Sequence, residues 1–76
     1  MTVLYVGAGK DAGIRPADLV GAIAGEAQMN AREIGAIRVE EKHATVEVPE
    51  GMADTVIQAL KATKLRGKKV EVKRHG

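Results

Sequence analysis

A chain of 76 residues and 8.0 kDa has room for one hydrophobic core, which excludes a two-domain enzyme. Cys, Trp and Phe are absent and Tyr occurs once, which removes disulfides, thiolate metal sites and cysteine nucleophiles and leaves the core to aliphatic side chains. The net charge of +2 hides an asymmetry: Met1 to Leu60 carries five basic and nine acidic residues, whereas Lys61 to Gly76 carries seven basic and one acidic, a distribution suited to a polyanionic or acidic partner, or to a solvated tail.

In chain order, Thr2-Val3-Leu4-Tyr5-Val6 is rich in β-branched and aromatic residues and stops at Gly7, which predicts a strand followed by a loop to Gly13. Pro16 suits a first helical turn, and Leu19, Val20, Ile23, Ala24 and Ala27 recur at helical spacing, so a helix is expected over Pro16 to Gln28. Gly21 and Gly25 inside it cost helix stability, and the expected return is close approach to a sheet. Ala36-Ile37-Arg38-Val39-Glu40 and Ala44-Thr45-Val46-Glu47-Val48 alternate apolar with polar residues around the link Glu41-Lys42-His43, which reads as a hairpin. Met52, Val56, Ala59 and Leu60 fall on one face of a second helix ending near Thr63, and Lys68-Lys69-Val70-Glu71-Val72-Lys73 alternates as a last strand.

The order βαββαβ predicts an α+β fold with a four-stranded antiparallel sheet, two helices on one face and the other face open. Alternation places Leu4, Val6, Ile37, Val39, Ala44, Val46, Val48, Val70 and Val72 toward the helices. Tyr5, Arg38, Glu40, His43, Thr45, Glu47, Lys69, Glu71 and Lys73 then face solvent. No apolar run approaches the ~20 residues that span a bilayer, as expected of a soluble cytoplasmic domain.

The glycine run does not encode a nucleotide site. Gly9-Lys10 is followed by Asp11 rather than Ser or Thr, and Gly7-Ala8-Gly9-Lys10-Asp11-Ala12-Gly13 puts its third glycine one residue late for a dinucleotide fingerprint. Two readings remain for it, a flexible loop, or a loop whose amides and Lys10 meet a phosphate. Nucleophilic catalysis lacks material, since Ser and Cys are both missing, and His43 and His75 lie on a strand end and a terminus where fraying is expected. No residue pattern for a metal is evident. Lys61, Lys64, Arg66, Lys68, Lys69, Lys73 and Arg74 form a basic cluster able to neutralise several phosphates, although lysines on an edge strand also prevent edge-to-edge association.

With Leu4-Tyr5-Val6-Gly7-Ala8-Gly9 as a short signature and Lys42-His43-Ala44-Thr45-Val46-Glu47-Val48 as a longer one, the chain resembles the RNA recognition motif, the RRM-like form of the ferredoxin-like sandwich. His43 and Thr45 stand where aromatic stackers stand in that motif. Gly7 to Ala24, with Ile34-Gly35-Ala36-Ile37, Val46-Glu47-Val48-Pro49 and Leu65-Arg66-Gly67-Lys68-Lys69-Val70, is similar to the C-terminal RNA-binding domain of bacterial DEAD-box helicases of the DbpA and CsdA type. The resemblance implies a single non-enzymatic RNA-binding domain over residues 1–76, taken from the C-terminal part of a larger ATP-dependent RNA helicase. ATP and magnesium would belong to the helicase core in cis, and this domain would need no cofactor. The implied partner is structured RNA, in some relatives a ribosomal RNA hairpin, with roles in ribosome assembly or RNA remodelling. Tyr5 and His43 are the candidate base platforms. The candidate phosphate contacts are Lys10 and Arg15 on one side and Lys64, Arg66, Lys68 and Lys69 on the other, with Arg38 and Lys73 on the sheet. A protein-interaction or dimerisation module on the same fold is the alternative, motivated by Tyr5, Thr45 and the carboxylates of the open face.

Overall fold

Thr2–Val6 (β1) begins the chain but lies at the centre of the sheet, paired antiparallel with Ala44–Val48 (β3) on one side and Val72–Arg74 (β4) on the other. Ile37–Val39 (β2) borders β3, giving the order β2-β3-β1-β4. Pro16–Glu26 (α1) and Ala53–Ala62 (α2) cover one face. The computed structural model describes residues 1–75 and has the expected α+β, RRM-like architecture.

Period-two alternation explains which face is covered. Leu4, Val6, Ala44, Val46, Val48 and Val72 are buried against Leu19 and Ile23 of α1 and Val56 and Leu60 of α2. Each fully buried Leu, Ile or Val stabilises the fold by roughly 1.5–3 kcal/mol relative to exposure, which is how a core without Phe or Trp suffices. No helix among the described residues is long and apolar enough to cross a membrane.

Helix α1 starts at Pro16, whose missing N–H costs nothing in the first turn, and the Asp18 carboxylate accepts from the Arg15 amide at 2.9 Å. It ends at Glu26, short of the expected Gln28, because Gln28 adopts a left-handed φ of 53° and the chain turns to bury Met29. Gly21 and Gly25 do not approach the sheet. Both are exposed, and a Cβ on either would meet nothing within 4 Å, so their cost in helix propensity is uncompensated. Gly21→Ala and Gly25→Ala are each expected to stabilise the domain by about 0.5–1 kcal/mol, seen in a thermal melt as a rise of several degrees.

The hairpin β2–β3 matches expectation apart from the length of β2. Its ladder continues past the strand ends, with the Glu47 amide donating to Ala36 at 3.0 Å and the Glu40 amide to His43 at 2.8 Å. A short 3-10 turn, Glu50–Met52, leads into α2 where the sequence pattern suggested that the helix begins at Met52.

The last strand differs most. The expected span Lys68–Lys73 is replaced by Val72–Arg74, because Val72 pairs with Val6 and β1 ends there. Glu71 reaches only Gly7, whose amide donates to its carbonyl at 2.7 Å, and residues before it have no strand beside them. Lys68 instead pairs back onto Leu65 in a tight turn whose centre, Arg66 and Gly67, has φ values of 51° and 78°. Two consecutive left-handed residues make a primed turn, for which a glycine in the second position is suited.

Candidate functional site

The registers arrange the open face as a grid. Arg38 lies opposite Thr45, Thr45 opposite Tyr5, and Tyr5 opposite Lys73, so a row with a cation at each end crosses all strands. Toward the end of β1 lie Glu40, His43 and Glu71, and toward its start lie Glu47, Val3 and His75. Diagonal neighbours therefore bring three rings together. The Tyr5 ring centroid lies 5.5 Å from that of His43 and 6.2 Å from that of His75, with planes within 16° and 17° of parallel. The Lys73 ammonium sits 5.3 Å from the Tyr5 ring centre, a cation–π contact. Beside this diagonal is a shallow depression of about 360 Å³ walled by Arg38, Glu40, His43, Glu47 and His75 with Thr45 in its floor.

His75 was the residue the sequence pattern placed on a frayed terminus. Its amide donates to the Val3 carbonyl at 2.9 Å, which carries the alternation of β4 two residues beyond Lys73 and turns its ring onto the open face. That alternation was the available signal.

The amides of Lys10 to Ile14 in the glycine-rich loop are taken up by backbone carbonyls and so form no anion cradle. Lys10–Ala12 forms a 3-10 turn, and the Lys10 and Asp11 amides donate to the carbonyls of Glu40 and Glu41, both at 2.8 Å. The amides of Ala12, Gly13 and Ile14 are spent inside the loop. What remains for a phosphate is the exposed Lys10 side chain. This docking places the Asp11 and Glu41 carboxyls together, and the hydrogen bond with Asp11, followed by its charge, raises the Glu41 pKa above the ordinary carboxylate value.

Arg66 joins two groups of cations that the sequence left on separate sides. Its Nε donates to the Gly13 carbonyl at 3.1 Å and to Asp18 at 3.2 Å, pinning the primed turn to the start of α1 beside Arg15. Arg15, Lys64, Lys68 and Lys69 are exposed and make no ion pair among the described residues. Arg74, part of the basic cluster in the sequence, points to the helix side and away from them. It binds Glu50 at 2.8 Å and Asp54 at 3.2 Å. The Thr2 hydroxyl also donates to Glu50, and these two partners, Thr2 first, lower the Glu50 pKa.

A sequence model of the DbpA RNA binding domain family matches residues 3–74. The chain belongs to that family. It is similar to ATP-dependent RNA helicase DeaD of Buchnera aphidicola subsp. Schizaphis graminum, 39% identical over 66 residues that make up 87% of this chain and 11% of the relative. The DeaD helicase of Escherichia coli K12 is 35% identical over 68 residues, 90% of this chain and 11% of the relative. That of Haemophilus influenzae is 32% identical over 72 residues, 95% and 12% respectively. The chain thus spans about a tenth of the length of the curated relatives it matches.

For a DbpA RNA binding domain, the grid and the loop end divide the candidate residues into two neighbouring surfaces. Tyr5, Arg38, His43 and Lys73 share the open face. Lys10, Arg15, Lys64, Arg66, Lys68 and Lys69 gather at the end where β1 finishes, held there by the Gly7–Glu71 and Arg66–Gly13 contacts. Of this second set Arg66 is the one engaged structurally. Charge reversal at Arg66 would place a carboxylate against Asp18 and the Gly13 carbonyl, so it disturbs the fold as well as any RNA contact.

Proposed function

We propose that this domain tethers an ATP-dependent DEAD-box RNA helicase to structured RNA. The cation-rich end lies along the phosphates of a stem while the open face receives an unpaired base. The observation that carries the reading is the continuity of the two surfaces, with unpaired Arg15, Lys64, Lys68 and Lys69 adjoining a face that bears three near-parallel rings. Phosphate contacts supply affinity without sequence information, and exposed bases stacked on rings supply the rest, which suits a hairpin loop better than a plain duplex or a long single strand. A ribosomal RNA hairpin is the target we assign, with ribosome assembly or RNA remodelling as the setting.

Fluorescence anisotropy with a ribosomal hairpin fragment, an unrelated hairpin and a single strand tests this. The hairpins are expected to bind more tightly than the strand, the ribosomal one most tightly. If about four phosphates are engaged, affinity falls by about 150-fold between roughly 50 and 200 mM salt. Lys68→Ala combined with Lys69→Ala should lower the salt slope by about two. Absence of binding to all three RNAs would return the domain to the protein-interaction reading.

A further inference from the structure

Residues 72–74 are held from one side only, because β4 is an edge strand whose partner is β1. Val72 is buried, but Lys73, Arg74 and His75 are exposed, so no apolar side chain anchors the strand past its first residue. The end of such a segment opens locally at little cost. Arg74 supplies an anchor of another kind. Its register opposite Leu4 turns it toward the helix side, where Nη1 donates to Glu50 of the 3-10 turn at 2.8 Å and Nη2 to Asp54 in the first turn of α2 at 3.2 Å. Glu50 also accepts from the Thr2 hydroxyl at the start of β1. One forked side chain therefore ties the end of β4 to the start of β1 and the start of α2. Its chain neighbours Lys73 and His75 point the opposite way. Both lie against Tyr5 on the open face, the Lys73 ammonium 5.3 Å and the His75 ring centroid 6.2 Å from the centre of its ring.

We infer that Arg74, clasped by Glu50 and Asp54, is a positioning residue for the RNA-binding face: it keeps the end of β4 on β1, so that Lys73 and His75 stay beside Tyr5. The inference rests on the RNA-binding reading above. It gives two acidic side chains on the far side of the sheet a supporting role in binding a polyanion, the reverse of what their charge alone does. An exposed ion pair adds little to global stability, yet a small increment suffices at a strand end that opens by itself. Arg74 is thereby set apart from the cations that meet phosphate directly, because both of its terminal nitrogens are engaged on the helix side.

The test compares the 76-residue chain with two double variants. Glu50→Ala with Asp54→Ala opens the clasp and removes two negative charges. Glu26→Ala with Glu33→Ala removes two exposed charges that form no ion pair among the described residues, and serves as the control. Exchange of the His75 amide, read by NMR without RNA, is expected to speed up by about threefold to fivefold in the first variant, while amides shared by β1 and β3 keep their rates. Binding to the tightest hairpin of the series above should weaken by a similar factor in fluorescence anisotropy, although the change of charge alone would tighten it. The control should bind at least as tightly as the unaltered chain. Arg74→Lys, which keeps the charge but cannot span both carboxylates, should move both readouts in the direction of the open clasp. With Lys73→Ala and His75→Ala in place, opening the clasp should no longer weaken binding. An unchanged His75 exchange rate overturns the clasp. Faster exchange with equal or tighter hairpin binding overturns the positioning role, and in both cases RNA binding stands. Failure of the unaltered chain to bind any hairpin overturns the RNA-binding reading and the positioning role with it.

Discussion

Gly9→Ala is expected to lower the unfolding free energy by about 3 kcal/mol, read as a reduced urea midpoint at unchanged slope. A Cβ on Gly9 would lie 2.7 Å from the His43 amide nitrogen and 2.8 Å from its carbonyl oxygen, and closer still to the Glu40 carbonyl. All three obstacles are backbone, so no side chain can swing away. Relief requires the 3-10 turn to lift off the β2–β3 link, which breaks the hydrogen bonds from Lys10 and Asp11 to Glu40 and Glu41. A domain of this length holds roughly 4–11 kcal/mol in total, so the loss is a large fraction. Gly51→Ala serves as the control. A Cβ there meets nothing within 4 Å, and the change should stay within about 0.5 kcal/mol.

Tyr5→Ala should weaken binding to a hairpin loop by about 1–3 kcal/mol, or from about fivefold to over a hundredfold, while leaving the salt slope as it was. Tyr5 is the ring between His43 and His75, and its removal leaves the other two without the surface that aligns them. No phosphate contact is lost, so anisotropy across a salt series separates this effect from that of the lysines. Tyr5→Phe preserves the ring and should bind nearly as the unaltered chain does. A comparable loss in Tyr5→Phe would assign the work to the hydroxyl and overturn the stacking role. The Lys73 contact over Tyr5 also disappears in the alanine variant, a stability cost of about 0.5–1 kcal/mol that a parallel melt would show.

How far the fold could be read in advance differed between segments for physical reasons. β1, β3 and α2 were legible because each has one dry face, and burial imposes a period of two or about four on the residues. β4 was misjudged since Lys68 to Lys73 alternates as a strand would, but alternation cannot say where a partner strand ends, and Val6 ends it. Gly21 and Gly25 looked like contact points because that is a frequent reason for glycine in a helix; here they lie on the exposed side. In the candidate site, Tyr5 and His43 followed from alternation and the resemblance, whereas His75 needed the hydrogen bond to Val3 that extends the pairing. Arg66 could not be told from its basic neighbours, because its partners Gly13 and Asp18 lie some fifty residues earlier in the chain.

The sheet order also governs when the protein can fold. β1 is made first, yet both of its edges are closed by segments from later in the chain, residues 44–48 and 72–74. Little of the sheet's centre can close before the whole chain is available, and such long-range pairing makes folding slower than in a helical protein of the same size. A chain stopped before Val72 would leave Leu4 to Val6 with one edge open, a short apolar template for another copy to pair with. The last three residues of the sheet therefore act as a seal on the first strand, and a domain cut before Val72 exposes that strand's edge to association.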